Sequence, residues 1–184
     1  AKLDGADVAV KTAKNGKWEV LFNETRRLLA FENAPHTIRR HIMPVLGMMR
    51  DGDFWALVMP RMDHDLRKQS RLNTGQVALG LAKALSAIHA QGLIHCDVKD
   101  ANVFISKDEG GEPIPVIGDF GCCIGARDPK PRKTGTAFYR DPAMRSGNYG
   151  TEVDIYSFGK LLEALIQRNR SQSPLLEQLT NLAR

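Results

Sequence analysis

The chain has 184 residues, a net charge of +5 and a hydrophobic fraction of 42%, values typical of a globular domain with a sizeable core. No apolar run is long enough to span a membrane, and no basic run is interleaved with aromatic residues as in many nucleic-acid-binding surfaces. The three cysteines lack a C-x-x-C spacing, which indicates neither a zinc site nor a disulfide framework. We therefore expect one cytoplasmic domain with neither a membrane nor a nucleic-acid partner.

The first predicted strand covers residues 7–11, a short apolar run that ends in Lys11. A helix is predicted over residues 17–33, because apolar side chains recur there at helical spacing. Glu24 lies within that apolar stripe, and a carboxylate among apolar neighbours needs a partner. Two other carboxylates of the predicted helix are rivals of Glu24 for an ion pair with a lysine: Glu19 and Glu32.

The middle of the chain predicts a pair of strands followed by a long helix. Strands over residues 42–46 and 54–59 meet across a turn at 50–53 that contains glycine and aspartate. The helix covers residues 74–91, and its first residue, Thr74, suits a helix cap.

The second half predicts a β-hairpin and two more helices. The apolar segments at 103–105 and 115–117 form the hairpin across a polar turn. An apolar helix covers residues 153–168, and after a break with serines and a proline a short helix covers 175–184.

Three polar residue types that suit phosphoryl transfer lie within residues 95–102. Asp97 offers a carboxylate that can accept a proton, and Lys99 offers an ammonium group two residues later. Asn102 offers an amide oxygen, which is a suitable hard ligand for Mg²⁺. Phosphoryl transfer requires mainly positioning and charge neutralisation, and these groups supply both. Taken alone, the pattern also fits a polar loop that follows a helix.

Two further motifs decide between these alternatives. Asp119-Phe120-Gly121 follows the predicted hairpin, and residues 135–142 have the form G-T-x-x-Y-x-x-P. Residues 95–102 resemble the H-R-D-x-K-x-x-N catalytic loop of the protein kinase superfamily, and Asp119-Phe120-Gly121 resembles its D-F-G motif. The motif at 135–142, together with Lys99, resembles the serine/threonine branch of that superfamily. The resemblance extends over roughly residues 8–166.

The resemblance implies an α+β, bilobal kinase-like fold in a single domain over residues 1–184. We expect a shortened small lobe at 1–60 and a minimal, mostly helical large lobe at 61–184. Only ten residues precede Lys11, too few for the Gly-rich loop of the family. We therefore expect that loop to be absent, cleaved or missing from this version of the chain, and nucleotide affinity to be lowered.

The resemblance also implies a nucleotide site. Lys11, oriented by Glu24, would hold the α- and β-phosphates of ATP. The adenine and ribose would meet four residues along the cleft: Ala9, Met62 through its backbone, Asp65 at the ribose, and Phe104 as the floor under the base.

By the same resemblance, Asp97 would position and deprotonate the acceptor hydroxyl, and Lys99 would stabilise the phosphoryl group in transfer. Asn102 and Asp119 would hold Mg²⁺. Two residues would have structural roles: His95 beneath Phe120, and Asp154 as a brace for the catalytic-loop backbone.

Regulation and substrate choice follow from two departures in the sequence. Cys96 replaces the arginine that often grips an activation-segment phosphate in the family, and a cysteine lacks the charge to do so. Activity is therefore expected to be independent of activation-segment phosphorylation. Basic residues between 127 and 133 lie where a peptide would approach. They either favour acidic residues near the acceptor or form a solvated loop, and the two alternatives are equally weighted.

The expected function is ATP- and Mg²⁺-dependent phosphorylation of serine or threonine in a protein. The alternatives are a pseudokinase that binds a partner without catalysis and, ranked last, a small-molecule kinase. The small size also resembles kinases that some bacteria inject into host cells, for which the compartment would be the host cytosol. The oligomeric state is left open.

Overall fold

The computed structural model describes residues 1–13, 18–68, 73–131 and 134–171. Three earlier predictions fall outside these ranges: the start of the first helix at Lys17, the basic residues Arg132 and Lys133, and the short helix at 175–184.

The small lobe is built on a four-stranded antiparallel sheet in the order β1-β2-β4-β3. Its strands are β1 (Lys2–Leu3), β2 (Ala6–Thr12), β3 (Gly47–Asp51) and β4 (Phe54–Pro60). In β2 the side chains alternate between faces, as the pleat requires.

The helix α1 (Trp18–Leu29) packs beside this sheet through one face, which buries Leu21, Glu24, Thr25 and Leu28. It ends four residues before the predicted boundary at 33, and the turns that follow carry Phe31 into the core with 2% exposure. A single helical turn, α2 (His36–Arg39), completes the lobe.

The strand predicted at 42–46 is wrong. β3 begins at Gly47 and supplies the pairing with β4, whereas Ile42 forms only an isolated parallel bridge to Ile117. Pro44 has no N–H to give to a ladder. The neighbouring side chains of Ile42 and Met43 enter the core instead, with 2% and 4% exposure.

The large lobe begins with β5 (His64–Asp65) and α3 (Thr74–Ala90), followed by β6 (Leu93–Ile94). The predicted cap at Thr74 is displaced by one residue, because the Asn73 side chain accepts hydrogen bonds from Gly75 N and Gln76 N. Asparagine is among the strongest N-cap residues, so this correction has a simple local cause.

The predicted hairpin is present as β7 (Val103–Lys107) and β8 (Pro113–Ile117), with Val103 opposite Ile117. It extends the sheet order β5-β7-β8, and a separate pair joins β6 to β9 (Ile124–Gly125). The last described element is α4 (Glu152–Ser171).

One hydrophobic core connects the two lobes, and α3 contributes its largest share. Leu81, Ala84, Leu85 and Ile88 are each at most 1% exposed. Gly80 lets α3 lie close against β8, since a Cβ there would come within 2.5 Å of a Pro115 ring carbon. Among the described residues, no helix combines the length and the apolar character needed to cross a bilayer.

Candidate active site

A buried carboxylate and a strand-end lysine form the first polar cluster. The Lys11 Nζ lies 2.9 and 2.7 Å from the two carboxylate oxygens of Glu24 and 2.7 Å from Asp119 Oδ1. Glu24 is completely buried, so the ion pair supplies the partner that its burial demands. Glu19 and Glu32, the two rivals, are both exposed.

Burial and charge act in opposite directions on these three groups. Burial opposes the charge of Lys11, but the carboxylates of Glu24 and Asp119 outweigh it and raise the pKa of Lys11. Burial raises the pKa of Glu24 although Lys11 lowers it in part. For Asp119 burial acts upward, but the hydrogen bond and charge of Lys11 prevail and lower the pKa. The cluster therefore keeps Lys11 charged and Asp119 ionised.

Ala9 and Lys11 lie two residues apart on β2 and thus share one face of the sheet. Across the lobes, the Phe104 ring lies beside Gly118, where a Cβ would come within 3.1 Å of the ring. Ala9 and Phe104 are both partly exposed.

Asp65 stands opposite Phe104 in the β5–β7 register. Its carboxylate already accepts hydrogen bonds from Arg67 at 3.0 and 2.7 Å, and the Arg67 hydrogen bond lowers its pKa. A ribose hydroxyl would have to share Asp65 with Arg67, a competition that the sequence did not suggest.

Met62 is among the residues that line a cavity of about 710 Å³ between α1, α2 and the β7–β8 hairpin. None of Lys11, Asp97 or Asp119 borders this cavity. Its volume alone would favour it as a binding site, but the lysine and the carboxylates of the candidate active site lie elsewhere.

The second polar cluster surrounds the Asp97 carboxylate, which accepts four hydrogen bonds. Oδ2 accepts from Lys99 Nζ at 2.7 Å and from Asn102 Nδ2 at 3.0 Å. Oδ1 accepts from the Thr136 amide at 2.8 Å and its hydroxyl at 2.9 Å. Lys99 also donates to the Thr136 hydroxyl at 2.7 Å. The catalytic loop and the 135–142 segment therefore meet on one carboxylate.

Thr136 is the member of this cluster that the sequence analysis missed. The G-T-x-x-Y-x-x-P form was recognised there as a family mark, without a contact for its threonine. A hydroxyl at a fixed place in a recurring motif was the available signal, but its partner lies 39 residues away in the chain and only the fold identifies it.

Backbone and ring contacts hold the two clusters in place. His95 packs edge-on against Phe120 with ring centroids 4.9 Å apart, and its ring Nε2 lies 3.1 Å from the Gly118 carbonyl oxygen. Asp154 accepts hydrogen bonds from the amides of His95 and Cys96, each at 2.8 Å. The contacts predicted for His95 and Asp154 are both present.

The side chains of Asn102 and Asp119 can each offer oxygen to a magnesium ion. The Asn102 amide nitrogen donates to Asp97, and within the described part of the chain the Asn102 amide oxygen accepts no hydrogen bond. The Asp119 side chain is 44% exposed. The Gly118 amide donates to the Asn102 carbonyl at 2.9 Å and so ties the two segments together. Such a sparse oxygen set fits Mg²⁺, which usually retains waters and phosphate oxygens as its other ligands.

Comparison with known proteins identifies the family of this chain. The family model described as protein kinase domain matches residues 2–178. The chain belongs to the protein kinase family. A solved kinase-domain crystal structure has the same fold, with a TM-score of 0.70 at 20% identity over 86% of this chain and 56% of that one.

Two curated relatives illustrate the position within the kinase family. The serine/threonine-protein kinase PkaA of Streptomyces coelicolor is 34% identical over 88% of this chain. The human serine/threonine-protein kinase PAK 4 is 29% identical over 90% of this chain. The match spans 32% and 29% of the lengths of these two relatives, about a third in each case.

The ion pair of this kinase domain predicts a pH-dependent loss of stability. Lys11→Met leaves the buried Glu24 carboxylate without its cation, at a cost of about 1–3 kcal/mol in the free energy of unfolding. An unpaired buried carboxyl has a pKa above its unfolded value, so the penalty grows as the pH rises above the usual carboxyl range. Denaturant unfolding at about pH 5 and pH 8 measures this difference.

The double variant Lys11→Met/Glu24→Gln is the matched control, because it removes the uncompensated charge and should recover much of the stability. Lys160→Met, which breaks an exposed pair with Glu163, should change stability little at either pH. A loss in Lys11→Met that is equal at both pH values would contradict the assignment.

Proposed function

We propose that this domain is an ATP- and Mg²⁺-dependent protein kinase that phosphorylates serine or threonine hydroxyls. The observation that carries the proposal is the Asp97 carboxylate, held by Lys99, Asn102 and Thr136. Family membership and the names of the relatives, both serine/threonine-protein kinases, support the same reaction class.

The residues of the first cluster are proposed to bind the nucleotide. Bound ATP would supply the phosphoryl group, and Mg²⁺ would offset the charge on its phosphates. Lys11 would contact the α- and β-phosphates while Glu24 fixes its direction. Asn102 and Asp119 would ligate the metal. Four residues would surround the base and ribose: Ala9, Met62, Asp65 and Phe104.

The residues of the second cluster are proposed to act on the acceptor. A carboxylate offers about four lone-pair sites, and all four on Asp97 are used by donors. An acceptor hydroxyl must therefore replace one donor. The Thr136 hydroxyl is the natural one to yield, because it can rotate about its side-chain bond while the Thr136 amide keeps its contact. Asp97 then aligns the hydroxyl and accepts its proton, and Lys99 neutralises charge on the group transferred.

Activity is further proposed to need no phosphate on the activation segment. Cys96 stands where the family often has a phosphate-gripping arginine, and it is 4% exposed. Burial and the nearby Asp154 carboxylate raise its pKa far above the usual thiol range. Cys96 is therefore a neutral packing residue that has no means to bind a phosphate.

The acceptor is proposed to be a protein segment. Of the two described basic residues near it, Arg127 is exposed and can favour acidic residues in that segment, whereas Lys130 donates to the Ala126 carbonyl at 2.7 Å. Arg132 and Lys133 lie outside the described residues.

Substitution of Asp97 tests the catalytic proposal. Asp97→Ala removes proton acceptance and hydroxyl alignment, so turnover should fall by roughly 10²–10⁴-fold, the usual contribution of general-base catalysis. Nucleotide affinity should change little, because Asp97 faces the acceptor. Transfer from labelled ATP to casein and to myelin basic protein, with calorimetry for ATP, measures both.

Asp53→Ala, in the exposed β3–β4 turn, is the carboxylate control and should match wild type. A folded wild-type protein that binds ATP and transfers no phosphate would favour the pseudokinase alternative. Equal turnover in Asp97→Ala and wild type would remove Asp97 from the mechanism.

Substitution of Asp119 tests the metal proposal. Asp119→Asn removes a charged metal ligand, so transfer should be abolished and ATP binding should become insensitive to Mg²⁺. Calorimetric ATP titrations with and without Mg²⁺ measure the difference, with Asp108→Asn in the β7–β8 turn as the control. Wild-type affinity that is identical with and without Mg²⁺ would refute a shared metal site.

Phosphatase treatment tests the proposal on regulation. Because Cys96 provides no cation for a phosphate, dephosphorylated protein should retain its activity to within about twofold. Mass spectrometry confirms removal of phosphate before the rates are compared. A collapse of activity that phosphorylation of Thr134 or Thr136 restores would contradict the proposal.

A further inference from the structure

The segment that presents Thr136 to Asp97 lies directly on the catalytic loop. Gly135 has a left-handed backbone with φ of 72°, and a Cβ there would overlap the Cys96 carbonyl oxygen. Only glycine permits this approach. This close approach does not itself hold the segment in place, because glycine does not restrain the segment from moving away from the catalytic loop.

Arg140 supplies the restraint against lifting. Its Nε donates to the Thr134 carbonyl and its Nη2 to the Gly135 carbonyl, each at 2.6 Å. These two donors lie on one edge of the guanidinium, and the two carbonyls belong to consecutive residues. The fork therefore fixes the direction of the peptide immediately before Thr136.

Hydrogen bonds also hold the backbone on both sides of Arg140. Ser157 on α4 donates to the Tyr139 carbonyl at 2.8 Å, and the Asp141 side chain caps the following turn by accepting from Ala143 N at 2.8 Å. A continuous path then runs from α4 through Arg140 and Gly135 to the Thr136 amide and Asp97.

A second contact, at Pro131, holds the part of the segment that precedes residues 134–136. The Tyr149 hydroxyl donates to the Pro131 carbonyl at 2.9 Å, and Tyr149 packs in the same cluster as Cys96. Burial raises the pKa of Tyr149 to about 12, so its hydroxyl stays protonated and remains a donor. Tyr149 and Arg140 therefore both bind this segment through its backbone carbonyls, at Pro131, Thr134 and Gly135.

We propose that Arg140 is a positioning residue that holds residues 134–136 against Asp97 and thereby performs the task of an activation-segment phosphate. The inference rests on the proposed function for its catalytic consequence, but the contact itself is independent of activity. Because Arg140 acts through Thr136 and touches no reacting atom, its loss should affect use of the protein acceptor and spare ATP.

The test compares Arg140→Met, Arg140→Lys and Arg145→Met, all treated with phosphatase. Arg140→Met should lower kcat/KM for the protein acceptor by about 10- to 100-fold, the usual effect of a misplaced reacting group. Its KM for ATP should stay within about twofold of wild type. Arg140→Lys keeps the charge but not the fork and should recover part of the loss. Arg145, an exposed arginine in the next turn, is the matched control and should behave as wild type.

A double-mutant cycle shows whether Arg140 acts through Thr136. On a Thr136→Ala background, Arg140→Met should cost clearly less than it does alone, because residues in one network are not additive. Fully additive losses would overturn the proposal. So would an Arg140→Met variant whose KM values for ATP and acceptor rise together with a lower melting temperature, since that describes a general structural defect.

Hydrogen exchange separates this proposal from the proposed function. The Thr136 amide donates to Asp97 and should exchange slowly in wild type, whether or not the protein transfers phosphate. Arg140→Met should accelerate that exchange while the amides of α3 stay protected. Unchanged protection at Thr136 would overturn the positioning role even if the protein is an active kinase. Lost protection in an inactive protein would support the role and reject the proposed function alone.

Discussion

The buried carboxylate of Asp154 is the interaction on which the active-site geometry depends. It is completely buried. Its Oδ2 accepts from the His95 amide and lies 2.9 Å from the His89 ring Nε2, and its Oδ1 accepts from the Cys96 amide. Cys96 has a φ of 63°, a conformation that is costly for a residue with a Cβ. Two hydrogen bonds to a charged group can offset that cost. The turn they stabilise directs Asp97 toward Lys99 and Thr136.

The cysteine in this turn explains why the surrounding contacts are needed. An arginine at the same position would offer a cation to the activation segment, whereas the Cys96 thiol packs among Ile94, Met144 and Tyr149. The segment is consequently bound from other directions, by Tyr149 at Pro131 and by Arg140 at Thr134 and Gly135. All of these acceptors are backbone carbonyls, which are present whatever the modification state of the side chains.

The sequence predicted best those features that local spacing determines. The apolar stripe showed that the Glu24 carboxylate needs a partner, and the family resemblance identified Lys11 as that partner. The β7–β8 hairpin was predicted from two apolar runs around a polar turn. The strand at 42–46 failed because apolar character alone does not distinguish a ladder from a buried connection, and Pro44 was the overlooked signal. The predicted helix cap was one residue too late, because Asn73 and Thr74 are both residue types that cap helices.

The contacts missed from sequence have separate causes. Arg140 binds backbone carbonyl oxygens, which every residue carries, so no pattern of side chains in the sequence predicts this contact. Thr136 reaches an aspartate 39 residues away, and Asp65 is engaged by its neighbour Arg67 although the family resemblance implies a ribose contact.

The two polar clusters are joined mainly through backbone, which has a functional consequence. Lys11, Glu24 and Asp119 form one network, and Asp97, Lys99, Asn102 and Thr136 form another. The Gly118 amide, next to Asp119, donates to the Asn102 carbonyl and links the two clusters through backbone. On the proposed function, nucleotide binding and acceptor alignment can therefore be altered separately, whereas a disturbance at Gly118, beside which Met43 and Phe104 lie, would affect both.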